Sequence, residues 1–193
     1  MKLQYPKIIV VDGISGSGKS TAAKVIAAQL NGKLIHGDLL LFKYIKEKYS
    51  IGDMSGVEYF LKHFFYEPEQ YSELQTQALP YMEENIYYEI QRLRKLRIKP
   101  KAIVVDAAAS STIYPWQSEE ETKKILVEMP DEEKRRRIII AREPNVTEQV
   151  AIILKDTQLK LIQPQKANIL VRNIDDTKEL FEERVRREVC EII

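Results

Sequence analysis

Cysteine occurs once in the 193 residues, at Cys190, so no internal disulfide can form. Net charge is nearly absent as well. Thirty Lys and Arg face 29 Asp and Glu, for a formal charge of +1. That balance supplies no general attraction to nucleic acid or to an anionic membrane, so any bound anion must be held by local positive charge. No apolar run approaches the length that spans a bilayer. The opening MKLQYPKIIVVDG has too short an apolar run for a secretory leader, and the expectation is a cytoplasmic protein. The two histidines, His36 and His63, are not accompanied by Cys, Asp or Glu at the spacing of a zinc site. Glycine is scarce too, with seven in all, yet three fall within positions 13–18.

What is present is an alternation of short apolar runs and helix-forming stretches. KIIVV (7–11), KLI (33–35), AIVVD (102–106), KKILVEM (123–129) and ANILVRN (167–173) read as strands. Most are too apolar to have a wet face. Between them lie helical patterns. One runs from Lys19 to a stop near Asn31-Gly32, and another follows Asp38 as far as Gly52. A third is capped by Ser55 with Glu58 in capping-box spacing. The segment 69–98 is interrupted or kinked at Pro80. Two helices span 131–142 and 145–160, and a terminal helix spans 176–191. Strands of this kind alternating with helices predict a three-layer α/β/α domain on a five-stranded parallel sheet. Ligands of such sheets bind at the carboxyl ends of the strands, which is where the polar residues of this chain fall.

The first of those ends carries the densest chemistry. Gly13-Ile-Ser-Gly-Ser-Gly-Lys19-Ser20 fits the Walker A pattern of a P-loop, placed after a strand and before a helix. Glycines let the backbone aim successive N–H groups inward, and the following helix adds its positive end. Gly13, Ser15, Gly16, Ser17, Gly18, Lys19, Ser20 and Thr21 are therefore the expected phosphate-binding set. Lys19 faces the β- and γ-phosphates, and the Ser20 hydroxyl is a candidate Mg²⁺ ligand. Asp12 either orients a water near the metal or closes the turn. Asp106, ending a Walker B-like strand, is a second metal candidate or a plain strand-end acid. Asp38 either takes the proton of an acceptor hydroxyl or caps the helix from Leu39. In DEEKRRRIIIAREP (131–144), Arg142 sits where a helix would break into a mobile lid. It is favoured to cover a transferring phosphoryl group, with Arg135, Arg136 and Arg137 as possible assistants.

Taken in order, these features resemble the dephospho-CoA kinases, ATP-dependent enzymes that phosphorylate the ribose 3′-hydroxyl of dephospho-CoA. The resemblance rests on GISGSGKS, on IHGDLLL, on the helical stretch FFYEPEQYSELQTQALPYMEENI, on the 129–158 segment that ends in Gln, and on ANILVRN. It implies a P-loop kinase fold of the nucleoside-monophosphate-kinase-like group, with ATP and Mg²⁺ as cofactors. Asp38 becomes the catalytic base, acting with Lys19 and the lid Arg142, and Asn173 lies near the adenine. It further implies a core of 1–52, 99–130 and 161–193, an acceptor-binding helical region at 53–98 and a lid at 131–160. The chain departs from the family in its acceptor half. His36 replaces an acid, Phe42 stands one turn after Asp38 where the family has Arg, Leu79 replaces the His of a His-Pro pair, and DAAASSTIY replaces a Pro-Leu-Leu signature. The acceptor thus stays open between dephospho-CoA and a nucleoside or nucleoside monophosphate, since GISGSGKS also resembles uridine and cytidylate kinases. A nucleotide-binding ATPase or switch is the other reading. It lacks support from any guanine-reading N-K-x-D motif.

Overall fold

The computed structural model describes residues 6–65, 67–106, 122–142, 147–159 and 167–191. Five strands, β1 (Lys7–Asp12), β2 (Lys33–His36), β3 (Ala102–Asp106), β4 (Thr122–Glu128) and β5 (Ile169–Arg172), form one sheet in the order β2-β3-β1-β4-β5. All four pairings are parallel, as the apolar strands predicted. The central strand β1 is buried from Ile8 onward, because both of its faces are covered by helices.

On one face lie α1 (Lys19–Gln29) and α7 (Lys178–Val185). Ala22, Ala23 and Ile26 of the first and Phe181 and Val185 of the second pack on Ile9, Val11, Val104 and Val127. Alternate residues of the same strands, Ile8, Val10, Ile103 and Val105, face the other side. There they meet Ile86, Ile90 and Leu93 of α4 (Pro68–Arg94). This is the expected three-layer α/β/α arrangement. The stop after α1 uses Asn31, which takes a left-handed φ of 48°, while the Gly32 N–H returns to the Ala27 carbonyl.

A second core forms beside the sheet. α2 (Gly37–Lys48), α3 (Gly56–Phe60), a wide π-type turn over Leu61–Phe65 and the first half of α4 enclose Leu41, Ile45, Phe60, Phe64, Tyr71, Leu74 and Met82. α3 starts as its sequence predicts. Ser55 accepts from the Glu58 N–H, and the Glu58 carboxylate accepts from the Ser55 N–H.

Three expectations need correction. Pro80 does not interrupt α4, which runs unbroken through 27 residues. The buried stripe Tyr71, Leu74, Ala78, Met82, Ile86, Ile90, Leu93 holds the helix on both cores, and Pro80 lies on the exposed face, where water can satisfy the freed Thr76 carbonyl. Asp38 is not a helix cap. α2 starts one residue earlier, at Gly37 with His36 as N-cap, so Asp38 sits inside the first turn. The terminal helix begins later than expected, at Lys178 behind a Thr177 cap that accepts from the Leu180 N–H, and it ends in a π-type turn over Arg186–Cys190. The remaining elements are α5 (Glu132–Arg142) and α6 (Glu148–Leu159), which pack together over the P-loop.

Candidate active site

Between β1 and α1 the chain makes the loop that the Walker pattern predicts. Gly18 takes φ 100°, and a Cβ there would stand 2.7 Å from the Asn173 amide nitrogen and 3.0 Å from the Phe181 ring. Conformation and crowding thus both demand glycine. A Cβ on Gly16 would meet Arg135 and Ile139 of α5 at 3.0 Å. The first rung of α1 is the Ala22 N–H to Gly18 carbonyl bond, so the amides of Lys19, Ser20 and Thr21 lie ahead of the helix ladder. Among the described residues no side chain caps them. A helix end with its first amides uncapped favours an anion.

Lys19 sharpens this. It is 9% exposed and has neither a hydrogen-bond nor an ion-pair partner among the described residues. Its side chain lines a cavity beside the loop together with Gly18, Ser20 and Thr21. Ser17 is wholly buried with its Oγ unpartnered. Asp12 is also buried, and its Oδ1 accepts the Gly13 N–H at 2.8 Å, a contact of the turn-closing kind.

The strand order lays the other candidates out along the carboxyl edge of the sheet. Asp106 ends β3 in register with Val11 of β1 on one side and His36 of β2 on the other. It is 5% exposed, its Oδ1 has no hydrogen-bond partner among the described residues, and its Oδ2 lies 3.7 Å from His36 Nδ1. One strand further out, Asp38 is exposed at the start of α2. Its strand is two removed from the P-loop strand, a lateral offset of about 10 Å. On the opposite flank a cavity of about 390 Å³ opens beside the loop. Lys19, Thr21, Lys134, Asn173, Thr177 and Phe181 are among its walls. Asn173 is buried there, but its amide donates to the Ser17 carbonyl at 3.0 Å, so one of its functions is to brace the loop. Lys134 spans the cavity mouth to the Asp175 carbonyl.

The arginine run resolves into distinct roles. Arg135 is fully buried. It donates to the Ser15 carbonyl at 3.0 Å and the Ala151 carbonyl at 2.9 Å, and it forks onto Glu132. It is thereby removed from the free charges expected to cover a phosphoryl group. Arg136 pairs with Glu148, and Arg137 is exposed. Arg142 ends α5, but its side chain lies outside the described residues, as do all of residues 107–121.

Two site residues had drawn no role from the sequence. Gln158, 3% exposed on α6, accepts the Ser15 N–H at 2.7 Å, and its amide nitrogen donates to Ser15 Oγ at 3.0 Å and to the Tyr71 hydroxyl at 3.2 Å. Tyr71, buried on α4, has its ionisation pushed up to about 12, chiefly by burial, with the Asp38 charge adding to it. The available signal was a polar residue two helical turns from buried Ala151, on the same face of α6.

A magnesium ion suits the oxygen donors at hand, the orphaned Asp106 carboxylate oxygen and the half-buried Ser20 hydroxyl. Among the described residues no group of three or more His, Cys, Asp or Glu is gathered to hold a metal. No helix among the described residues is long and apolar enough to cross a membrane.

No family model and no curated protein matches the chain. Solved structures do. TT1252 from Thermus thermophilus is 19% identical with a TM-score of 0.62, covering 98% of each chain. Dephospho-CoA kinase from Campylobacter jejuni is 19% identical with a TM-score of 0.58, covering 96% of each. Shikimate kinase from Acinetobacter baumannii, solved in complex with shikimate, is 12% identical with a TM-score of 0.57, covering 98% of this chain and 96% of that one. At such identities the likeness establishes the fold, a five-stranded parallel α/β architecture shared with P-loop kinases.

Proposed function

We propose that the chain is an ATP-dependent small-molecule kinase. The observation that carries this reading is Lys19, which has no hydrogen-bond or ion-pair partner among the described residues and lines the cavity beside a glycine loop at the start of α1. The names of similar folds support it, since they include dephospho-CoA, shikimate and gluconate kinases. The donor lies with its base in the cavity flanked by Asn173 and Phe181 and its phosphates over Gly13–Thr21. Mg²⁺, held by Ser20 with Asp106, would neutralise phosphate charge. Lys19 stabilises the terminal phosphates, Asp38 takes the proton of the acceptor hydroxyl, and Arg142 covers the group in flight. Regions 53–98 and 131–160 serve as acceptor cover and lid around the core.

The preferred acceptor is dephospho-CoA, on the strength of the sequence resemblance. The acceptor half favours keeping a nucleoside or nucleoside monophosphate as the second reading. Where that family has Arg, Phe42 packs its ring 5.7 Å from Phe60, and where it has His, Leu79 packs against the apolar layer between α4 and the sheet. The deciding experiment is ADP production from Mg·ATP with dephospho-CoA, uridine, cytidine and their monophosphates. Turnover with one of them, abolished by Lys19→Ala, is expected. Asp38→Asn should keep ATP affinity and lose turnover, and full kcat in that variant would remove Asp38 as the base. Slow ATP hydrolysis unaffected by any acceptor would favour the switch instead.

A further inference from the structure

Ser15 of the P-loop is joined through Gln158 to Tyr71 of the acceptor cover, and its backbone groups and Oγ are all held from outside the loop. Its carbonyl accepts from Arg135, its N–H donates to Gln158 Oε1, and its Oγ accepts from Gln158 Nε2. The amide of Gln158 has only one sense that works here. A backbone N–H can only donate, so Oε1 must face it, and Nε2 is then a donor to both hydroxyls. The Ser15 oxygen receives that proton, and its own O–H is left as the group it presents. Tyr71 completes the brace from α4. Its hydroxyl accepts from Gln158 at 3.2 Å and lies 2.7 Å from the Gln75 amide nitrogen. Ser17, two residues on, is braced from the base side by Asn173. Ser15 therefore marks the acceptor-side end of the phosphate cradle, where the last phosphate of a triphosphate extends beyond a diphosphate.

We infer that Gln158 is a positioning residue that fixes the Ser15 hydroxyl as a hydrogen-bond donor to the terminal phosphate of the nucleoside triphosphate. The inference rests on the kinase reading above. It makes the loop's preference for triphosphate over diphosphate depend on a side chain of α6 that does not touch the nucleotide.

The test is calorimetric titration of the full chain with Mg·AMP-PNP and with Mg·ADP, taking the ratio of the two dissociation constants. Ser15→Ala and Gln158→Ala should each lower the preference for AMP-PNP by about three- to tenfold and leave ADP affinity within about twofold, the size of one hydrogen bond. The double variant should lose no more than either single one, because both act through one contact. Tyr71→Phe, which keeps the buried ring, should give a smaller fall in the same direction and serves if Gln158→Ala does not fold. A ratio that stays at the wild-type value, a parallel loss of both nucleotides, or losses that multiply in the double variant would each overturn the inference. Wild-type protein that binds both nucleotides equally overturns it while leaving the kinase reading standing. Protein that binds neither overturns that reading and this inference with it.

Discussion

Arg135 joins three separate pieces of chain through one side chain: the P-loop at Ser15, α6 at Ala151 and its own first turn at Glu132. A guanidinium with no exposure is tolerable only because its donors are answered by carbonyls and a carboxylate in fork geometry. Arg135→Met keeps most of the volume and leaves the two carbonyls unanswered. The expected loss is about 3 kcal/mol, a fall in Tm of roughly 6–12 °C for a domain of this size. Thermal unfolding checks it, and an unchanged Tm would mean that the fork contributes nothing. The same pair sets a pH dependence. Arg135, followed by Lys155, holds the Glu132 carboxyl below the usual carboxylate range. A depressed folded value means stability that is present above the ordinary carboxylate pKa and lost as pH falls through the folded one. Glu132→Gln should therefore flatten the acid limb of a stability-against-pH curve and leave its alkaline limb unchanged.

Helix α4 shows what an element adds that no single residue carries. Its first half closes the core beside the sheet, and its second half covers the sheet itself, so one rigid rod sets the distance between them. Pro80 sits on the outer face of this rod, at the cost of one backbone hydrogen bond. Pro80→Ala is expected to stabilise by about 2 kcal/mol, the helical gain minus the entropy returned to the unfolded chain. Chemical denaturation with an unchanged m-value is the measurement, and a lowered midpoint would show that the proline shapes the helix to a purpose. The sequence at Pro80 suggests a break because propensity is local, whereas the buried stripe from Tyr71 to Leu93 is a tertiary fact. The same limit explains the site. The glycine loop before α1 was legible because its pattern is contiguous from Gly13 to Thr21, and the parallel sheet was legible from strands apolar on both faces. Arg135 and Gln158 were not, since each meets Ser15 across more than a hundred residues and looks locally like one polar residue among others. Strand order was likewise hidden, because nothing in a strand names its neighbour.

For the whole molecule, that strand order is what turns separate residues into a possible reaction path. Reading across the sheet edge from β2 through β3 to β1, and on to β5, the candidates run Asp38, Asp106, P-loop, Asn173. On the proposed reading these would serve in turn as proton acceptor, metal ligand, phosphate cradle and base pocket. The cradle is also where the layers meet. Gly18 touches Phe181 of α7 and Asn173 behind β5, Gly16 touches α5, and Ser15 is bound to α5 and α6. A ligand that seats there binds only the folded chain, so occupancy adds to global stability by mass action. Mg·ATP at about a hundred times its dissociation constant should contribute about 2.7 kcal/mol, raising Tm by roughly 5–11 °C. Lys19→Ala, at a residue with no partner among the described residues, should cost the apo protein little, yet it should abolish the nucleotide-induced shift. Scanning calorimetry of both proteins with and without Mg·ATP separates the two effects. A Lys19→Ala protein that still gained the full shift would show that the loop holds its phosphates without the cation, and a strongly destabilised apo variant would show that Lys19 serves the fold rather than the ligand.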